Sequence, residues 1–210
     1  MTIEKEFLFD EDDFWHKKHL LTDSRQVTLE AESIFFAIRG KRFNGHDFIE
    51  TLIKRGVKSF VVEETPSCSI PSDVRVKQVA DTVRCMQELV AHHRKKFNIP
   101  VIGITGSNGK TIVKEWLYLL LSQHYSVVKS PKSYNSQIGV PLSVWKMTVH
   151  NQIGVFEAGI SQAGEMRRLE PIIHPTIGIF TNIGSAHSKG FVSEAEKIHE
   201  KLLLFKNSDV

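Results

Sequence analysis

The residues best suited to chemistry stand together at 101–111. An apolar run ends in Thr105, glycines follow at Gly106 and Gly109, and Lys110 and Thr111 open a stretch with apolar residues at helical spacing. The glycines allow backbone shapes and close approaches that a side chain would block. Successive amides and the start of a helix can then surround phosphate oxygens, with Ser107 and Asn108 inside the turn. Lys110 is placed to neutralise the terminal phosphates of a triphosphate, and the Thr111 hydroxyl to meet a divalent cation. The bland alternative is a glycine turn with an incidental lysine; the order of strand, glycines, Lys-Thr and helix argues against it. The general P-loop spacing is not met, because Ile104 stands where its first glycine belongs. What remains is a shorter G-x-x-G-K-T.

Glu157 closes the apolar run 153–157. A carboxylate at the C-terminal end of a parallel strand faces the crevice where ligands of open α/β sheets bind. Of ten histidines, His92 and His93 read as solvated helix positions, while His46 and His187 are singled out by their neighbours. The two cysteines, Cys68 and Cys85, form no CxxC pair, which argues against a disulfide framework or a structural zinc site. A net charge of +3 without a basic–aromatic block gives no sign of nucleic-acid binding. No apolar run approaches the roughly 18 residues of a membrane span, so no membrane insertion is expected. The N-terminus is acidic, unlike a secretory leader, and the cytoplasm is the expected compartment.

The elements that must position these residues fall into two segments. Up to residue 98 the pattern predicts strands at 33–39, 59–62 and 74–79, a helix over 48–55 capped by Asp47 and ended by Gly56, and a helix from Asp81 to about residue 96. Beyond Pro100, strands at 101–105, 126–129, 153–157 and 177–181 alternate with helices at 110–122, 165–169 and 194–205. Such alternation argues for a mainly parallel sheet covered on both faces. The expected architecture is α/β: a small N-terminal α/β domain over 1–98, then part of a P-loop, mainly parallel α/β ATPase domain over 99–210.

The run from Thr105 to Thr111 resembles the ATP loop of the Mur ligase superfamily, which departs from the general P-loop in the same way. Asn135, with Ile138, Gly139, Val140 and Pro141, resembles the family's N-N-x-I-G-V-P segment beside the phosphates. Ser136 replaces the usual second asparagine, so Asn135 alone is carried over. By the same resemblance Glu157 maps to a magnesium-binding acid and His187 to the second residue of that site. Lys201, fourteen residues after His187, maps to a lysine that reacts with CO2, the resulting carbamate helping to hold Mg2+. That reaction needs a neutral amine, so desolvation or nearby charge must overcome an ordinary lysine pKa of about 10.4. Asp23, Ser24 and Arg25, with the run 35–46, resemble the family's UDP-sugar-binding domain, making Ser24, Arg25, Asn44, Gly45 and His46 substrate-binding candidates.

The resemblance covers nearly the whole chain. The run 157–166 favours the D-Ala-D-Ala-adding branch over the diamino-acid-adding branch, and the wording around 132–145 looks like forms fused to an alanine racemase. Folylpolyglutamate synthetases share the ATP loop but lack the Asp-Ser-Arg domain. The resemblance implies ATP and Mg2+ as cofactors, and UDP-N-acetylmuramoyl-tripeptide and D-Ala-D-Ala as partners. The implied reaction activates a carboxylate as an acyl phosphate and joins it to an amine in peptidoglycan precursor synthesis. Because the chain ends just after the last helix, a truncated piece of a longer enzyme is expected, inactive as a ligase by itself. Two rivals stay open: a nucleotide-binding regulatory module without ligase chemistry, and an NAD-binding domain, which Lys-Thr after the glycines fits less well than a triphosphate.

Overall fold

The computed structural model describes residues 9, 12–26, 30–40, 43–184 and 190–208. Its contacts divide the chain into two compact units, one ending at Leu89 and one beginning at Val90.

In the first unit, β1 (His19–Leu21), β2 (Ser33–Phe36), β3 (Ser59–Val62) and β4 (Arg75–Gln78) form one parallel sheet in that order. β2 and β3 are buried at every position, as central strands covered on both faces must be. Leu21, Phe35 and Phe60 lie side by side in register, and the two phenylalanine rings meet edge-on at 6.1 Å. The short helix α1 (Ile49–Lys54) sets Ile49 and Leu52 on this face. Each fully buried side chain of this kind contributes about 1.5–3 kcal/mol. β1 was absent from the sequence expectation, since three residues are too few to show an alternation. The edge strand β4 carries Arg75 and Lys77, and Arg75 pairs with Asp13 at 2.5 Å.

Helix α2 (Thr82–Arg94) is capped by the Asp81 carboxylate, which accepts from Arg84 N at 2.8 Å. The division between units falls inside this helix. In the second unit Arg94 is buried and donates to the carbonyls of Phe97, Ile173 and His174, so its guanidinium ties the end of α2 to the end of a later helix.

The second unit holds β5 (Val101–Thr105), β6 (Val127–Lys129), β7 (Ile153–Glu157) and β8 (Ile177–Phe180), all parallel, in the order β6-β7-β5-β8. Helix α3 (Lys110–Leu121) leads from β5 to the edge strand β6, packing Val113, Leu117 and Leu121 on Ile102, Ile104 and Val155. β7 then returns between β6 and β5, while β8 lies on the other side of β5. The C-terminal ends of β7, β5 and β8 thus stand together: Ile104 is opposite Glu157 and Thr105 opposite Phe180. The mixed α/β class with parallel sheets is as expected.

The expected Asp47 cap of α1 is absent, Asn44 capping the preceding 3-10 turn instead; two other helices also differ from expectation, and prolines explain both. α4 (Gly139–Val144) was not anticipated because it contains Gly139 and Pro141, but Pro141 stands in the first turn, where an N–H has no intrahelical partner to lose. α5 (Met166–Ile173) runs on through Pro171. Burial of Leu169, Ile172 and Ile173 outweighs one missing hydrogen bond. α6 (Glu194–Leu202) ends in a turn of 3-10 helix, Leu203–Phe205.

Candidate active site

The loop after β5 is shaped by two left-handed glycines, Gly106 with φ 136° and Gly109 with φ 80°. A Cβ on Gly106 would lie 2.0 Å from Thr181 Oγ1, so the loop runs hard against the exit of β8. That exit braces it. Ser107 N donates to Asn182 O (2.9 Å), Asn108 N to Asn182 Oδ1 (3.1 Å), and Thr181 Oγ1 to Asn108 O (2.6 Å). Gly109 caps α3 without any side-chain hydrogen bond. The first N–H groups of α3 therefore have no capping side chain, which leaves an anion-binding helix start.

Two lysines converge on one carbonyl of this loop. Lys110 Nζ donates to Gly106 O at 2.8 Å and Ser107 O at 3.2 Å, and Lys201 Nζ reaches Gly106 O at 3.1 Å from α6. Lys201 is 1% exposed. Burial, then the charges of Lys110 and Lys197, pull its pKa down to about 8. Burial also lowers Lys110, with Glu157 acting the other way. Such concentrated positive charge suits a polyanion. Lys110 and Lys201, with Asn135, Ser136, Gly159 and Glu165, line a cavity of about 290 Å³.

Glu157 is fully buried at the end of β7. Its Oε2 accepts from the Thr111 hydroxyl at 2.9 Å, and its Oε1 lies 3.3 Å from the Lys114 ammonium. Thr111 and Glu157 thus present adjacent hard oxygen donors, the kind Mg2+ takes while keeping water and phosphate oxygens in its other positions. Among the described residues no group of three His, Cys, Asp or Glu gathers. The two donors fit magnesium. His187 lies outside the described residues.

Asn135 is placed by its backbone: its carbonyl accepts from Gly159 N at 2.8 Å, and a Cβ on Gly159 would sit 3.0 Å from Asn135 Oδ1. Ser136 Oγ accepts from Gly139 N and so begins α4. The motif reading missed Lys114 and Lys197, both buried. Each lies four residues from a lysine that was found, Lys110 or Lys201, and that spacing puts the members of each pair on one helix face. Glu200, also missed, accepts from Gly164 N (2.8 Å) and Met166 N (3.1 Å), tying α6 to the start of α5.

In the first unit the candidates form two groups. Asn44 Oδ1 accepts from the His46 amide at 3.2 Å and pairs with His46 Nδ1 at 2.8 Å, while Glu63 N donates to His46 Nε2 at 3.0 Å. These partners require Nδ1 to carry the proton, so the imidazole stitches the 3-10 turn Gly45–Phe48 before α1 to the end of β3. A Cβ on Gly45 would meet Ile38 N at 2.7 Å, which keeps that corner tight. Arg25 turns its guanidinium back on Asp23 at 2.9 and 2.7 Å, and Ser24 O accepts from Arg55.

Comparison with known proteins fits this layout. The model of the Mur ligase middle domain matches residues 104–209, and that of the Mur ligase family catalytic domain matches 16–102. A Bacillus subtilis protein named UDP-N-acetylmuramoyl-tripeptide–D-alanyl-D-alanine ligase is 34% identical over 181 residues, 86% of this chain and 39% of the relative. A crystal structure of MurF from Acinetobacter baumannii superposes with a TM-score of 0.81 at 29% identity, covering 90% of this chain and 41% of that one. MurF from Thermotoga maritima, crystallised with ADP, gives 0.81 at 32% identity, covering 94% and 45%. The chain spans about two fifths of the length of the curated relatives it matches. With a family model on each segment, that of the middle domain alone matching half of the chain, the chain belongs to the Mur ligase family.

Proposed function

We propose that this chain carries the UDP-substrate and nucleotide-binding parts of an ATP-dependent ligase that joins D-Ala-D-Ala to UDP-N-acetylmuramoyl-tripeptide. The observation that carries the reading is the convergence of Lys110, Lys201 and the Thr111–Glu157 oxygen pair on one glycine loop. The names of the Bacillus subtilis relative and of the ADP-bound Thermotoga maritima structure support the substrate and the nucleotide.

In this reading the amides at the start of α3 bind phosphate, and the Lys110 ammonium exchanges loop carbonyls for phosphate oxygens. Thr111, Glu157 and His187 would hold Mg2+, which supplies charge neutralisation at the transferring phosphate. Lys201 has the depressed basicity that carbamate formation needs: its neutral amine would add to CO2, releasing one proton to solvent as the N–C bond forms, and become an anion beside the Mg2+ site. The reacting carboxylate would enter the cavity between Lys110, Lys201 and Asn135. Catalysis by these residues is positioning and electrostatic stabilisation. Ser24, Arg25, Asn44, Gly45 and His46 belong to UDP-sugar recognition, the Arg25 fork exchanging the Asp23 carboxylate for a phosphate. ATP and a nucleotide-linked precursor as substrates make the cytoplasm the compartment.

Calorimetric titration tests the reading. The protein should bind ADP in the presence of Mg2+, and bind UDP-N-acetylmuramoyl-tripeptide more tightly than UDP. Nucleotide binding without any preference for the muramyl peptide would favour a regulatory module instead.

A further inference from the structure

Lys114 is a charged residue buried beneath the loop, and the proposed chemistry gives it no part. Its side chain has no exposed surface. The ammonium meets three oxygens: the Lys132 carbonyl, Glu115 Oε1 at 3.2 Å and Glu157 Oε1 at 3.3 Å. The Thr111 hydroxyl donates to the other Glu157 oxygen at 2.9 Å and lies 3.2 Å from Oε1 as well. Two residues three apart on α3 therefore grip one buried carboxylate, Lys114 at Oε1 and Thr111 most closely at Oε2. The captured carbonyl belongs to Lys132, whose φ of 48° is sparsely populated for a residue with a side chain. The next residue, Ser133, brings its hydroxyl to 3.2 Å from Thr111 Oγ1. Glu115 is paired in turn with Lys129 at the end of β6. Buried ion pairs stabilise a fold weakly compared with apolar packing, so stability alone is a poor reason for this one.

We infer that Lys114 is a positioning residue for the Thr111–Glu157 metal-ligand pair, holding Glu157 by Oε1 and the 130–133 turn by the Lys132 carbonyl. Oε2 is thereby kept on the Thr111 side, ready for a divalent cation arriving with its nucleotide. The inference rests on the proposed nucleotide site. A lysine that merely fills space under α3 would affect nucleotide binding equally with and without metal. A positioning lysine acts on the metal-linked part alone.

ADP is titrated into wild type, Lys114→Met and Lys114→Gln over a series of Mg2+ concentrations and in EDTA, with circular dichroism melts to verify folding. The Mg2+ concentration for half-maximal effect should rise about 10–100-fold in the Met variant, the range seen when a partner of a metal ligand is removed. ADP affinity in EDTA should stay within about twofold. Lys114→Gln retains a donor for the Lys132 carbonyl; if the Met variant does not fold, it carries the test with a shift in the same direction. An unchanged Mg2+ midpoint in a folded variant, or equal losses with and without metal, overturns the inference. A wild type that binds no ADP at all, with or without Mg2+, overturns the nucleotide reading itself, so the two failures are distinct.

Discussion

Lys201 sits where burial and two neighbouring ammonium groups all disfavour its charge, and that has a thermodynamic consequence. Its folded pKa is about 8 against lysine's usual 10.5. Between those values the unfolded chain binds more protons, so this group makes stability rise with pH across that window. At pH 7 both states are protonated and the cost of burying the charge is fully present. Lys201→Met should therefore melt higher relative to wild type at pH 7 in CO2-free buffer, with the advantage shrinking towards pH 10. A gap of constant size in scanning calorimetry at the two pH values would refute the assignment. Lys110 was legible because its motif neighbours are local, whereas Lys201 came only from the family resemblance, by its spacing from His187. Lys114 and Lys197 were not legible, since nothing in a lysine's identity says that packing will bury it.

At the scale of elements, the site is assembled by contacts between helices and loops that are far apart in sequence. Glu200 shows this best: one buried carboxylate of α6 accepts from two amides at the start of α5. Glu200→Ala would leave those donors without their acceptor, at a cost of about 1–3 kcal/mol. Urea denaturation measures it, and a change under about 0.5 kcal/mol, ordinary for a surface substitution, would deny Glu200 this bracing role. The strands β5 and β7 were readable because continuous apolar runs have few other fates in an α/β chain. α4 was not readable: its glycine and proline argue against a helix, and only the burial of Val140, Pro141 and Val144 on neighbouring elements tips the balance towards one.

At the scale of the whole molecule, the chain has two compact units with a separate sheet in each. The proposed function assigns the muramyl substrate chiefly to the first and the nucleotide to the second. Lys110→Ala should then weaken Mg–ADP binding at least tenfold, since it removes a charge-assisted contact of roughly 1.5–3 kcal/mol, while leaving affinity for UDP-N-acetylmuramoyl-tripeptide within about twofold. Parallel loss of both affinities in a folded variant would contradict the division of labour.

Taken by itself, the sequence determined the class and the order of the second unit: apolar runs alternating with helical periods, broken by glycines at Gly106 and Gly109. Those signals are local, and a neighbouring stretch of chain is enough to enforce them. Strand order is a different matter. That β7 inserts between β6 and β5, bringing Glu157 to Thr111 across the loop, depends on which edges pair and which faces find cover, a global choice between arrangements with the same local propensities. The tertiary structure alone decided that the Glu63 amide takes up the imidazole of His46 and that Lys114 lies under the Glu157 carboxylate. Each depends on a partner far along the chain that folding brings close, and a polar group taken out of water is costly without such a partner.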